Sequence, residues 1–440
     1  MNFHARFLKS FLVALLTCPL LAAAALPITQ WQTSKGARVL FVETHVLPLL
    51  DVAVEFPAGS GRDSREKSGV AALTQQLMQL GTDGLSEDQI ARQLADVGAV
   101  LHGRFDPDRA GYWLRTLSSA QERNNALAIL ARVLQHPVFP DAVLDRERSH
   151  TIAALKEADT KPDSLAARAF WREVYGAHPY AMRSSGELET VEKISRADLR
   201  QFYAQHYVAN QAVVAIIGDV TRREAEALAE QVTGELLVGP VAATLPTVRA
   251  LATAPLQAIK HPSTQAHIMM GGPGLARSDP DYFPLWVGNY ILGGGGFASR
   301  LNEEVRQKRG LAYSAYSYFY PLAAQGPFQI GLQTKSSQAA EALQVVRETL
   351  AQFLAGGPTE QELSEAKQNI VGGFALRIDS NAKILEYLST IGFYRLPLDY
   401  LEQFPKRVEA VTVAQIRDAF ARRIKLDQLV TIVVGGDGAL

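Results

Sequence analysis

The sequence predicts an α+β protein of two homologous domains, each a largely antiparallel sheet packed with helices. Three observations carry this. The chain has 440 residues, 47% hydrophobic and 20% charged, which is globular usage, and single cores seldom grow beyond roughly 250–300 residues. It also repeats itself: Val191 to Arg200 (VEKISRADLR) matches Val408 to Arg417 (VEAVTVAQIR) at an offset of 217 (408 − 191), and the same offset lays Val213 to Gly218 on Val430 to Gly435 without a gap. Finally, strand-like and helix-like runs interleave in short pieces rather than in strict βαβ units, which favours helices on an antiparallel sheet.

The elements follow in chain order. Arg6 and Lys9 precede an apolar run from Phe11 to Leu21, and Ala22 to Ala25 supply small residues for cleavage near Ala25; residues 1–25 read as a secretory signal peptide. The run falls short of the ~20 residues that span a bilayer, and Cys18 follows Thr17, where a lipidation site wants Gly, Ala or Ser. The mature chain is therefore expected to be exported, periplasmic in a double-membrane bacterium, without stable membrane insertion. The sole cysteine leaves with the signal, which excludes disulfides and thiolate metal sites.

Residues 26–235 form the first expected domain. Val39 to Val42, Leu50 to Phe56 and Gly111 to Leu117 read as strands; Val70 to Leu80, Glu87 to Val97, Ala120 to Leu134 and Leu144 to Lys156 read as helices. Ser195 with Asp198, and Thr412 with Gln415, have capping-box spacing at two helix starts. Val213 to Gly218 and Val430 to Gly435 read as buried strands ending in glycine turns. Gly239-Pro240, Pro246 and Pro255 break up a stretch without periodicity, so residues 236–255 are expected to link the first domain to a second at 256–440.

Lys plus Arg number 44 against 45 Asp plus Glu, a formal net charge of −1, which gives no electrostatic case for nucleic acid. The nine histidines (4, 45, 102, 136, 150, 178, 206, 261 and 267) include no pair four residues apart, so none forms a helical ligand pair. There is no G-x-S-x-G elbow, P-loop or strand-borne G-x-G-x-x-G.

The run Phe56-Pro57-Ala58-Gly59-Ser60-Gly61-Arg62-Asp63, continuing through Lys67 to Met78 and Gly81-Thr82, resembles the opening of the insulinase and pitrilysin-like peptidase family, which includes the mitochondrial processing peptidases and bacterial relatives. In that family an H-x-x-E-H helix binds zinc through two imidazoles on one face while the Glu serves as general base. This sequence departs from it, with Ala72, Gln75 and Gln76 at the matching positions. A methyl group and two neutral amides make neither a zinc site nor a base. Counting back from Pro162 puts Ala154 at the family's third-ligand position, with Glu157 near. His178-Pro179-Tyr180 with Ser185-Gly186 resembles a structural loop of the same family.

The second half differs. Gly293, Gly294, Gly295 and Gly296 lead to Arg306 and, seven residues on, Tyr313, similar to the family's C-terminal-domain signature. The resemblance implies that Arg306 and Tyr313 hold substrate backbone and stabilise the transition state at a zinc centre outside this chain. It implies a flexible turn at the glycines that admits an extended peptide. Tyr316, Tyr318, Phe319 and Tyr320 are expected to pack on the strand. The resemblance covers the chain from about Pro27 to its end. It implies the family's two-domain fold and a non-catalytic, exported subunit of a heterodimeric zinc peptidase: no cofactor of its own, zinc in a paralogous partner, and an extended or unfolded peptide as substrate, captured in part by strand addition. Two alternatives stand beside it: a peptide-binding or chaperone-like module without proteolysis, and a self-sufficient zinc endopeptidase with atypical ligands.

Overall fold

The computed structural model describes residues 27–253 and 255–436; the expected signal peptide lies outside the described residues. In the first half the strands are β1 (Thr29–Gln32), β2 (Arg38–Glu43), β3 (Leu49–Phe56), β4 (Gly81–Thr82), β5 (Leu85–Ser86), β6 (Val100–Phe105), β7 (Ala110–Leu117) and β8 (Val213–Gly218). The helices among them are α1 (Val70–Met78), α2 (Glu87–Asp96), α3 (Ala120–Gln135), α4 (Asp141–Ala158), α5 (Pro162–Tyr175), α6 (Leu188–Val191), α7 (Arg196–His206) and α8 (Arg222–Thr233). The second half holds β9 (Leu256–Ile259), β10 (Gln265–Pro273), β11 (Ala312–Phe319), β12 (Pro327–Lys335) and β13 (Val430–Val434), with α9 (Tyr282–Asn289), α10 (Ala339–Gly356), α11 (Glu360–Gly372), α12 (Asn381–Phe393), α13 (Tyr400–Glu409) and α14 (Val413–Arg423). No helix among the described residues is long and apolar enough to cross a membrane.

The two large sheets have one topology. The first runs β1-β2-β8-β3-β7-β6 and the second, taken from the β9 edge, β9-β13-β10-β12-β11; β1 apart, each takes its strands in the order first, fifth, second, fourth, third. Each has one parallel pair, β2 with β8 and β13 with β9, and is otherwise antiparallel. The repeat survives in register: Val214 pairs with Val39 and Thr431 with Leu256, both partners displaced by 217. Both expected capping boxes form, Ser195 accepting from the Asp198 amide and Thr412 from that of Gln415.

Strand β8 and, Thr431 apart, β13 are apolar on both faces because both faces are covered. In β8, Val214 and Ile216 enter the first half's core, whereas Val213, Ala215 and Ile217 enter a core shared with the second half. What covers that second face is α12, whose Gly392 lies so close that a Cβ would sit 2.6 Å from side-chain atoms of Leu40 and Val213. The exchange is reciprocal. Helix α5, opened by Pro162 at its first turn, sets Phe170 and Val174 against Val430, Ile432 and Val434. Each half thus lends one helix to the other's sheet. Residues 237–253 contain no helix or strand, yet they are tied down: Val248 is buried, and His178 Nε2 lies 2.9 Å from the Pro246 carbonyl.

Candidate functional site

Helix α1 carries Ala72, Gln75 and Gln76. A left-handed Gly69 (φ 99°) turns the chain into it, and Asp63 accepts from the Gly69 and Ala71 amides at 2.6 and 2.9 Å, satisfying donors a helix start leaves free. Burial pushes the Asp63 carboxyl up to about 7. Gln75 is buried and packs into the sheet: its Nε2 donates to the Gly111 carbonyl at 3.3 Å, and its own carbonyl accepts from the Tyr112 hydroxyl. Gln76 Nε2 donates to Glu147 Oε2 at 2.6 Å, while Glu147 Oε1 accepts from Arg146 Nε at 2.7 Å.

Glu147 faces the motif helix, meeting it at Gln76; Ala154, the expected third position, lies seven residues further along α4, on the same side of that helix, and is exposed. Glu157 pairs with Lys161 at 2.7 Å. The signal for Glu147 was readable: Leu144, Glu147, Thr151 and Leu155 form the inward stripe of α4, and a carboxylate on such a stripe needs a reason. A methyl, two amides engaged elsewhere and one carboxylate already accepting two hydrogen bonds do not fit zinc. Among the described residues no group of three His, Cys, Asp or Glu side chains is placed to hold a metal.

The glycine tract is not an open turn. Helix α9 continues as a wide π turn over Tyr290–Gly294. A Cβ on Gly293 would lie 2.4 Å from Ser317 Oγ, one on Gly294 2.8 Å from Asn289 Nδ2 and one on Gly295 2.7 Å from the Tyr290 carbonyl. These three glycines let the turn lie against β11, where Asn289 and Ser317 exchange hydrogen bonds of 3.0 and 2.7 Å. Gly296 alone has open space and a positive φ, 62°. A second π turn, Asn302–Gln307, delivers Arg306. Its guanidinium lies 4.4 Å from the Phe297 ring centroid and 5.0 Å from that of Tyr313, and no carboxylate pairs with it among the described residues. Phe297 and Tyr313 are 67% and 84% exposed, so the cation is clamped between two aromatic faces turned to solvent. Tyr316 and Tyr318 stack on each other at 6.1 Å but remain more than a third exposed, so they pack only in part.

Three cavities lie beside these positions and share lining residues. One of about 630 Å³ is lined by Ala72, Phe105, Trp171 and Tyr320. Another of about 540 Å³ is lined by Gly293, Tyr313, Tyr316 and Arg377. A third of about 470 Å³ lies on the seam between the halves, sharing Tyr320 with the first and Arg377 with the second. Beside it sits a buried junction that sequence reasoning missed: Asp108 accepts from the Tyr180 hydroxyl, from the Tyr394 hydroxyl at 2.8 Å and from the Ala323 amide at 2.7 Å. His178 is part of the same loop's packing; its Nδ1 accepts from the Tyr180 amide at 3.1 Å, and burial lowers its pKa.

A solved structure from Pseudomonas fluorescens, described as a peptidase M16 inactive domain, superposes with a TM-score of 0.90 at 38% identity, covering 94% of this chain and 98% of that one. Residues 38–184 match the profile of the insulinase family, peptidase M16, and residues 193–370 that of the peptidase M16 inactive domain. The chain belongs to peptidase family M16. Within M16, the Helicobacter pylori protein called non-peptidase homolog YmxG is 26% identical over 437 residues, 97% of this chain and 98% of its own. A Mycobacterium leprae relative named an uncharacterized zinc protease is 27% identical over 390 residues, 87% of this chain and 86% of its own. A probable mitochondrial-processing peptidase subunit beta from Schizosaccharomyces pombe is 25% identical over 379 residues, 83% and 82% of the two chains.

Proposed function

We propose that this M16 member is the non-catalytic subunit of a heterodimeric zinc-dependent peptidase, exported by residues 1–25, that presents Arg306 and Tyr313 to an extended peptide held against a zinc-bearing paralogous partner. The observation that carries the reading is Arg306: a guanidinium without a carboxylate partner among the described residues, held between Phe297 and Tyr313, on a chain whose own metal positions are Ala72, Gln75 and Gln76. A fixed guanidinium and a phenol are donors suited to a peptide carbonyl and to the charge that grows on it during cleavage. Zinc belongs to the partner in this reading. Strand β6 ends the first sheet, with a free edge where an extended peptide can add as a strand.

The test is co-expression with an H-x-x-E-H-bearing M16 paralogue from the same genome, followed by hydrolysis of a quenched fluorescent peptide. The pair is expected to cleave while this chain alone does not, and Arg306→Ala is expected to lower kcat roughly 100-fold or more, in the range for a lost oxyanion donor. Full activity of a reconstituted Arg306→Ala pair removes the mechanism and leaves the peptide-binding module as the better reading.

A further inference from the structure

The seam cavity is cationic, and its charges are unequally satisfied. Arg109 is bound by Glu55 at 3.2 Å and Asp106 at 2.9 Å, and Arg104 lies between Glu55 at 3.5 Å and Glu386 at 3.4 Å. Lys383 is occupied by Asp379 at 2.8 Å and the Leu376 carbonyl at 2.7 Å. Arg277 and Arg377 line the same cavity, and neither is paired with a carboxylate among the described residues. Arg277 Nε is buried without a hydrogen-bond partner, a state that proteins seldom leave uncompensated. Its guanidinium is fixed by ring faces, 5.2 Å from the centroid of Tyr282 and 5.9 Å from that of Tyr394. Arg377 lies 5.5 Å from the ring centroid of Trp286.

We infer that this cavity binds a carboxylate of the peptide substrate. The inference rests on the reading that the chain binds extended peptides, and it adds a preference for acidic ones. Guanidinium forks match a carboxylate geometrically, and their weak hydration lowers the cost of drying them. The rest of the lining, Pro321, Leu322 and Tyr387 among it, offers hydrocarbon for the chain that carries the anion. Position completes the argument: a peptide running from the Ala72 cavity past Tyr320 to the Tyr313 groove passes through the seam cavity, and Arg377 borders both the seam and the groove.

Three otherwise neutral decapeptides test it by isothermal titration calorimetry at low salt: one with a free C-terminal carboxylate, one amide-capped, and one amide-capped with a central Glu. Tighter binding of either carboxylate peptide than of the neutral one, by about tenfold, supports the inference and says which carboxylate is taken; Arg277→Gln and Arg377→Gln should each reduce that preference, read as the ratio of carboxylate to neutral affinity. Arg377 is exposed, so its variant reports even where Arg277→Gln unfolds. Equal affinity for all three peptides, or a preference that survives Arg377→Gln in full, overturns this inference alone. Binding of none of them overturns it together with the peptide-binding reading.

Discussion

Asp108 makes the sharpest stability prediction. It is 3% exposed, on the turn between β6 and β7, and its carboxylate joins the halves: Tyr180 donates from the first, Tyr394 and the Ala323 amide from the second. Beside it, Arg109 lies 5.6 and 5.5 Å from the ring centroids of Phe393 and Tyr394. In Asp108→Ala the buried Tyr180 hydroxyl and two less buried donors, the Tyr394 hydroxyl and the Ala323 amide, lose their acceptor. At about 1–3 kcal/mol for each group left unsatisfied, and with water reaching some of them, the loss is about 4 kcal/mol. Asp108→Asn keeps one acceptor oxygen but turns an NH2 toward a donor, for about 2 kcal/mol. Urea unfolding followed by tryptophan fluorescence measures both, since Trp113 and Trp171 report the first half and Trp286 the second. A cycle with Tyr394→Phe should show coupling of about 1–2 kcal/mol. An Asp108→Ala chain within about 0.5 kcal/mol of wild type would place this site with ordinary surface positions and refute the claim that it holds the halves together.

Two further predictions follow from the motif helix. The triple replacement Ala72→His, Gln75→Glu, Gln76→His should bind zinc only weakly, and adding Ala154→Glu at the expected third position should raise binding to about one equivalent by elemental mass spectrometry; no gain from Ala154→Glu would take position 154 out of the ligand set. Metal-free, the triple variant should be about 1–2 kcal/mol less stable than wild type, because a carboxylate at position 75 meets the Gly111 carbonyl where Gln75 now donates. Asp63, raised to about 7 by burial, keeps its proton in the folded chain where the unfolded chain, with a carboxyl near 4, has released it. This site's contribution to stability therefore falls as pH rises from about 4 to 7 and is level above. Asp63→Asn has no such slope, so its urea midpoint should gain on wild type between about pH 5 and pH 8, and a constant gap would contradict the assignment.

Features that depend on neighbours in the chain were legible. Both capping boxes, the strand β8 and the 217-residue offset are local patterns, and each is present where the sequence put it. The pairing of Arg306 with Tyr313 was legible because one turn and one strand fix it. Features set by distant partners were not. The inward stripe of α5 says that a face is buried, but not that the second half's sheet buries it. The tight fit of Gly293 depends on Ser317, in a strand that follows it by 24 residues, so the tract looked like a flexible turn. Asp108 acquires its meaning from positions 180, 323 and 394, and no spacing along the chain announces that.

The two ends of the cavity path differ in what the fold asks of them. On the motif helix both polar side chains at the metal positions have structural employment: Gln75 ties α1 to β7 and Gln76 ties it to α4 through Glu147, so a return to metal chemistry would have to displace contacts that now support the helix. At Arg306 the reverse holds. Among the described residues its charge answers no carboxylate, and Phe297 and Tyr313, which flank it, are the two most exposed aromatic side chains. Aromatic surface left in water and a cation left unpaired contribute little to folding; their use, if they have one, lies with something outside this chain. A subunit that only binds peptides would need the cavities and the free edge of β6, but not this clamp. The clamp is what favours complementation of a partner's site over simple binding, and Arg306→Ala in the reconstituted pair decides between them, because simple binding leaves kcat untouched.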